Sequence, residues 1–152
     1  MKLLVSACLL GINCKYNGEN NSNEKLISFL ENHEVIPVCP EQLGGLTTPR
    51  LPAEITSCDG EAVLKGNARV ADKSGRDVTR EFLAGADETL KIARLCKCEA
   101  AIMKARSPSC GCGEIYDGSH SKNVKSGNGV CTQLLLNNGI KVYTDENYEE
   151  LQ

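Results

Sequence analysis

A chain of 152 residues, 41% of them apolar, is about one domain's worth and buries a core without disulfide help, so one domain over residues 1–152 is expected. No apolar run reaches the roughly 18 residues of a membrane helix and the stretch Met1 to Ser6 is too short for a signal peptide, which leaves a cytoplasmic protein as the expectation. A formal charge of −3 gives no global drive toward nucleic acid, and nine cysteines, an odd number, point in a reducing compartment to metal, cluster or thiol chemistry.

In chain order, Lys2 to Ala7 reads as a first strand and Cys8 to Gly18 as a loop closed by the turn Tyr16-Asn17-Gly18. Asn21, Ser22 or Asn23 can cap a helix to about Asn32, with Leu26, Ile27 and Leu30 on one face, and Val35 to Val38 is a second strand. Pro40 to Pro52 reads as a loop whose Gly44-Gly45 pair lets backbone approach closely. Glu61 to Leu64 and Asn67 to Ala71 suggest a small β-hairpin insertion turning near Lys65-Gly66. Asp77 or Thr79 opens the best helix, with Phe82, Ala86, Leu90 and Ala93 at helical spacing to about Leu95. Ala100 to Met103 is a third buried strand, followed by a loop from Lys104 to Gly113 and the turn Tyr116-Asp117-Gly118. A helix from about Gly129 to Asn138, a strand at Ile140 to Tyr143 and a short helix from Asp145 to Leu151 complete the chain. Alternating strands and helices predict an α/β fold: one mostly parallel sheet with helices on both faces, a Rossmann-like three-layer arrangement with its ligand site beyond the carboxyl ends of the strands.

Cys8, Cys39 and Cys110 each follow an apolar run that ends in a turn. If those runs are neighbouring parallel strands, the three thiols meet at one mouth of the sheet, and three thiolates leave one coordination position open for substrate or water. No Cys-x-x-Cys pair is present, which speaks against thioredoxin-like, zinc-ribbon and ferredoxin sites. Cys96-x-Cys98 and Cys110-x-Cys112 are weak pairs, and zinc is disfavoured because imidazole is scarce: His33 reads as a surface or capping residue and His120 as a loop residue. Cys58, Cys96, Cys98 and Cys131 read as small buried apolar residues. Cys14 and Cys112, near the mouth, stay open as spare thiols for a persulfide or a cluster. Glu41 stands two residues from Cys39, and Ser107 and Ser109 precede Cys110, so a base for water and hydroxyls to orient substrate are at hand. Lys15, Arg50, Lys104 and Arg106 near the three segments are either solvated loop charge or a positive rim for an anionic group.

Ser6-Ala-Cys8-Leu-Leu-Gly11 running to Cys14-Lys-Tyr16-Asn-Gly18, Pro37-Val-Cys39-Pro-Glu41 with Gly44-Gly45 and Pro49-Arg50, and Lys104-Ala-Arg-Ser107-Pro-Ser109-Cys110-Gly111 resemble the TudS-type thiouracil desulfurases, formerly domain of unknown function 523. Ile115-Tyr116-Asp117-Gly118 and Gly127-x-Gly129-Val130 extend the resemblance to about Gly139. It implies a [4Fe-4S] cluster held by Cys8, Cys39 and Cys110, with the fourth iron free to bind the sulfur of thiouracil or a related thiolated nucleobase or nucleoside. The implied reaction is a non-redox, hydrolytic desulfuration that releases hydrogen sulfide. Glu41 is then the base or proton shuttle, and Ser107, ahead of Ser109, the second polar catalyst. Lys15, Tyr16, Arg50 and Lys104 become candidates for substrate or anion binding. The chain departs from the family's usual Arg-Tyr-Asp-Gly with Lys15-Tyr16-Asn17-Gly18, so an ionic role of that Arg or Asp does not carry over. A cluster-free cysteine persulfide sulfurtransferase and a metal- or cluster-binding redox sensor are the alternatives. The expected partner is a small thiolated pyrimidine; weak acidity disfavours tRNA, although the basic residues keep it open, and the oligomeric state is not specified.

Overall fold

Leu3, Leu4, Val5 and every residue from Ala100 to Met103 are buried, and strands buried on both faces require cover on both. The computed structural model, which describes residues 1–151, supplies it. In chain order its elements are β1 (Lys2–Ser6), a 3-10 turn (Ala7–Leu10), α1 (Glu24–Phe29), a 3-10 turn (Leu30–Asn32), β2 (Glu34–Val38), α2 (Pro40–Leu43), β3 (Ala53–Ile55), α3 (Gly60–Leu64), β4 (Val70–Asp72), α4 (Thr79–Leu95), β5 (Ala100–Met103), β6 (Glu114–Tyr116), β7 (Val124–Ser126), α5 (Val130–Asn137), β8 (Lys141–Thr144) and a last 3-10 turn (Tyr148–Glu150). Gln152, the end of the expected domain, lies outside the described residues.

The central sheet has the order β2-β1-β5-β8 and is parallel throughout, with Leu4 opposite both Ile36 and Ala101 and Ala101 opposite Val142. Its winding reverses between β1 and β5, which makes the carboxyl ends of those two strands the switch point where doubly wound folds place ligands. Leu4, Ala101 and Met103 join one core with Phe82, Ala86 and Leu90 of α4 and Val130, Cys131 and Leu135 of α5. On the opposite face Leu3, Val5 and Ile102 pack with Leu26 of α1, Leu30 and Tyr148. The expected α/β architecture with helices on both faces is thus present. Within α1, Asn23 caps Leu26 N at 3.1 Å, but Ile27 is exposed, because in six residues only the Leu26 side turns toward the sheet.

The structure departs from the expected elements in four segments. Glu61 to Leu64 is not a strand: Asp59 accepts a hydrogen bond from Ala62 N at 3.0 Å and caps the short helix α3. The hairpin insertion is built instead from β3 and β4, antiparallel, with Glu54 opposite Ala71. The segment after Cys39 is not wholly loop, because Pro40 starts α2, which lies on α4. A second hairpin, β6 with β7, occupies the stretch after Gly113, and the final helix is reduced to the 3-10 turn Tyr148–Glu150. The close approach expected at Gly44 exists: a Cβ there would stand 1.9 Å from the Glu81 carbonyl oxygen, and one at Gly85 2.0 Å from that of Pro40. These two glycines let α2 and α4 touch backbone to backbone, which fixes where Cys39 and Glu41 sit.

Candidate active site

Cys8 lies in the 3-10 turn directly after β1, and Cys39 is the residue that precedes α2 directly after β2. Cys110 follows β5 by seven residues, and its segment is tied down by several bonds. Ser107 Oγ accepts from Cys110 N at 2.7 Å, Thr132 Oγ1 donates to the Cys110 carbonyl at 2.7 Å, and the Ser109 carbonyl accepts from Cys131 N at 3.0 Å and Thr132 N at 3.1 Å. At the switch point itself Ser6 Oγ accepts from Lys104 N at 2.9 Å, joining the ends of β1 and β5. All three cysteines line one cavity of about 560 Å³, within the range of roughly 300–1,000 Å³ typical of small-molecule sites.

Cys14 lines the same cavity and is more central than its sequence position suggests. Its carbonyl accepts from the Cys39 thiol at 3.7 Å, and its side chain shares its ionisation with Cys8 and Cys39. The Cys14 thiol is pushed far above the usual range, while the same side chain holds Cys8 down to about 7 and also lowers Cys39. Burial works against the Cys8 and Cys39 thiolates, and Asn21 and Lys104 assist Cys8 as Arg50 assists Cys39. Cys110 is buried, and desolvation together with the nearby Glu41 raises it well above the usual range. A thiol of that kind ionises when a cation stands beside it.

Glu41 also lines the cavity, with Oε1 3.9 Å from Cys39 Sγ. Burial pushes its carboxyl up, and Arg50 and the Cys39 thiol only partly oppose this. Ser107 lines the cavity, whereas Ser109, the other candidate, is buried away from its wall with an unpartnered hydroxyl, because its peptide is bound to the start of α5. Of the basic candidates, Lys15, Arg50 and Lys104 line the cavity, as does Tyr16, with the Lys15 ammonium 5.6 Å from its ring centre. Arg50 donates to the Cys14 carbonyl at 2.8 Å, and Lys104 pairs with Asp145 at 3.4 Å. Arg106 is not part of the rim, since it is engaged by Glu114 and Glu146. Asn17 caps its own turn through Glu19 N at 3.0 Å.

Of the remaining cysteines, Cys131 is buried as expected and Cys96 and Cys98 are half-buried, but Cys58 is exposed, in a left-handed turn at φ 58°. Cys112 does not reach the cavity; its thiol donates to the Val142 carbonyl at 3.7 Å. The cavity has a further wall that the sequence did not single out, made by Glu54, Lys73, Tyr116, His120 and Lys122. Its residues come from two hairpins distant in sequence, and only the turn at Tyr116 carried a local signal.

Among the described residues no three His, Cys, Asp or Glu side chains converge as they would on a single metal ion. The donors are instead four thiols distributed around a cavity, a soft set that suits iron–sulfur chemistry better than a closed zinc site. Two of these thiols are already biased toward thiolate.

Comparison with known proteins agrees with this geometry. The chain is 42% identical over 149 residues to the uncharacterized protein YbbK of Bacillus subtilis (strain 168), covering 98% of this chain and 99% of that one. Among solved structures it is similar to the [4Fe-4S]-dependent thiouracil desulfidase TudS, with a TM-score of 0.83 and 38% identity, covering 99% of this chain and 94% of that one. The family model for 2-thiouracil desulfurase matches residues 3–147, and the chain belongs to that family.

Proposed function

We propose that this protein is an iron-sulfur-dependent desulfurase that replaces the thiocarbonyl sulfur of thiouracil, or of a related thiolated base or nucleoside, with oxygen from water. Water and the thiocarbonyl become a carbonyl and hydrogen sulfide, so no external oxidant or reductant is needed. The observation that carries this reading is the convergence of thiols and a desolvated carboxyl on one cavity at the sheet's switch point, in a chain so similar to TudS. Cys8, Cys39 and Cys110, one from each of three strand ends, are the residues we assign to hold a [4Fe-4S] cluster. When bound with only three protein ligands, such a cluster supplies a soft Lewis acid for the substrate's sulfur.

The surrounding side chains have separable tasks. Cys14 keeps its proton, and its side chain stabilises the Cys8 and Cys39 thiolates. Arg50 and Lys104 offset the negative charge gathered there. Burial raises the Glu41 carboxyl above its ordinary range, and this one group is placed to accept a proton from attacking water and return it to the departing sulfur. Ser107 receives the Cys110 N–H on its oxygen, which leaves its own O–H to donate to oxygen developing on the substrate carbon.

The test is anaerobic reconstitution with iron and sulfide, followed by incubation with thiouracil in ¹⁸O-labelled water. Uracil and sulfide in equal amounts, with the label in the new carbonyl, are expected. Loss of colour and iron with undiminished turnover would overturn the reading in favour of a persulfide route, to which the low Cys8 pKa of about 7 is also suited.

A further inference from the structure

The segment between β6 and β7 is shaped with unusual care for a surface loop. His120 and Lys122 both take left-handed backbone conformations, at φ 56° and 67°, and neither is glycine. Gly118, at φ 98°, lies so close to β3 that a Cβ would stand 2.7 Å from the Ile55 carbonyl oxygen. A single buried carboxylate holds the loop in this form. Glu54, 8% exposed, accepts through Oε1 from Gly118 N at 2.9 Å and from His120 N at 3.2 Å, while its Oε2 lies 3.6 Å from His120 Nδ1. The His120 side chain is itself only 20% exposed and lines the cavity that holds the thiols. Non-glycine residues in left-handed conformations concentrate where a fold must aim a side chain.

We propose that His120 reads the substrate and that Glu54 is its positioning residue. This rests on the thiolated-pyrimidine reading above. With Glu54 Oε2 on the Nδ1 side, a tautomer protonated at Nδ1 leaves Nε2 free to act as an acceptor for the cavity that His120 lines. Nε2 then accepts a hydrogen bond from a donor on the substrate, either a ring N–H or a ribose hydroxyl. Neither residue takes part in the chemical step, so their contribution is to binding.

Steady-state kinetics of the iron-loaded protein with thiouracil and with thiouridine test this. His120→Ala is expected to raise KM about tenfold, the loss of one hydrogen bond, with kcat within twofold. His120→Gln, which can offer an acceptor oxygen at a similar reach, should recover part of that loss. Glu54→Gln keeps an acceptor for the two backbone N–H groups but removes the carboxylate from Nδ1, and it should raise KM without loss of iron. An effect on both substrates identifies the ring N–H as the donor, and an effect on thiouridine alone identifies the ribose hydroxyl. Unchanged KM for both substrates in His120→Ala overturns the proposal and leaves the desulfurase reading standing. If wild type turns over neither substrate, that reading fails, and calorimetric binding of uracil and uridine decides the inference separately. Binding weakened about tenfold in His120→Ala supports it, and equal binding, or none by wild type, overturns it.

Discussion

Cys14 is separated from Cys39 by 25 positions, yet its carbonyl accepts from the Cys39 thiol at 3.7 Å and its side chain lowers both Cys8 and Cys39. Because that side chain is the largest influence lowering Cys8, Cys14→Ala in the iron-free protein should raise the Cys8 pKa from about 7 toward the ordinary 9.0. The pH profile of Cys8 alkylation measures this, and a midpoint still near 7 would mean that Asn21 and Lys104 suffice. Glu41→Gln keeps size and polarity but cannot carry a proton, so turnover should fall by about 100-fold or more with iron content unchanged. The sequence named Glu41 and Ser107 through their neighbours Cys39 and Cys110. It left Cys14 undecided, because nothing local to Cys14 records that the loop after β1 folds back to Cys39, at the end of β2, and to Arg50.

At the level of elements, legibility followed burial. β1 and β5 are continuous buried runs, and α4 presents Phe82, Ala86, Leu90 and Ala93 at helical spacing, so all three were readable within a residue or two. β6 has one buried residue, Ile115, and β7 has none, so no alternation announced that hairpin. α3 resembled a strand because Ala62, Val63 and Leu64 form a short apolar run; the capping signal at Asp59 was the better guide. Packing of α2 on α4 offers a direct check. Gly85→Ala puts a methyl 2.0 Å from the Pro40 carbonyl oxygen, where backbone rather than a flexible side chain must yield. A loss of about 3 kcal/mol, typical of the upper range for overpacking, is expected in denaturant unfolding. Because α2 carries Glu41 and follows Cys39, the same variant should also retain less iron. Wild-type stability and iron content in Gly85→Ala would show that α2 does not depend on this contact.

For the molecule as a whole, three segments remote in sequence meet because parallel strands deliver their carboxyl ends to one edge, and that much followed from the alternation of strands and helices. The second wall did not, since Glu54 and His120 are 66 positions apart and the contact between their hairpins leaves no periodic trace. A group held by three strand ends binds the folded chain and not the unfolded one, so removing iron by anaerobic chelation should lower the thermal midpoint. Equal midpoints for the loaded and stripped protein would argue that the thiols do not join those strands through a shared ligand. The most direct measurement is the iron content of anaerobically reconstituted single-cysteine variants. Cys8→Ala, Cys39→Ala and Cys110→Ala should each lose the cluster and its colour, while Cys112→Ala, whose thiol faces Val142, should keep about four irons per chain. Full iron in any of the first three would contradict the assignment of those thiols as the cluster's ligands.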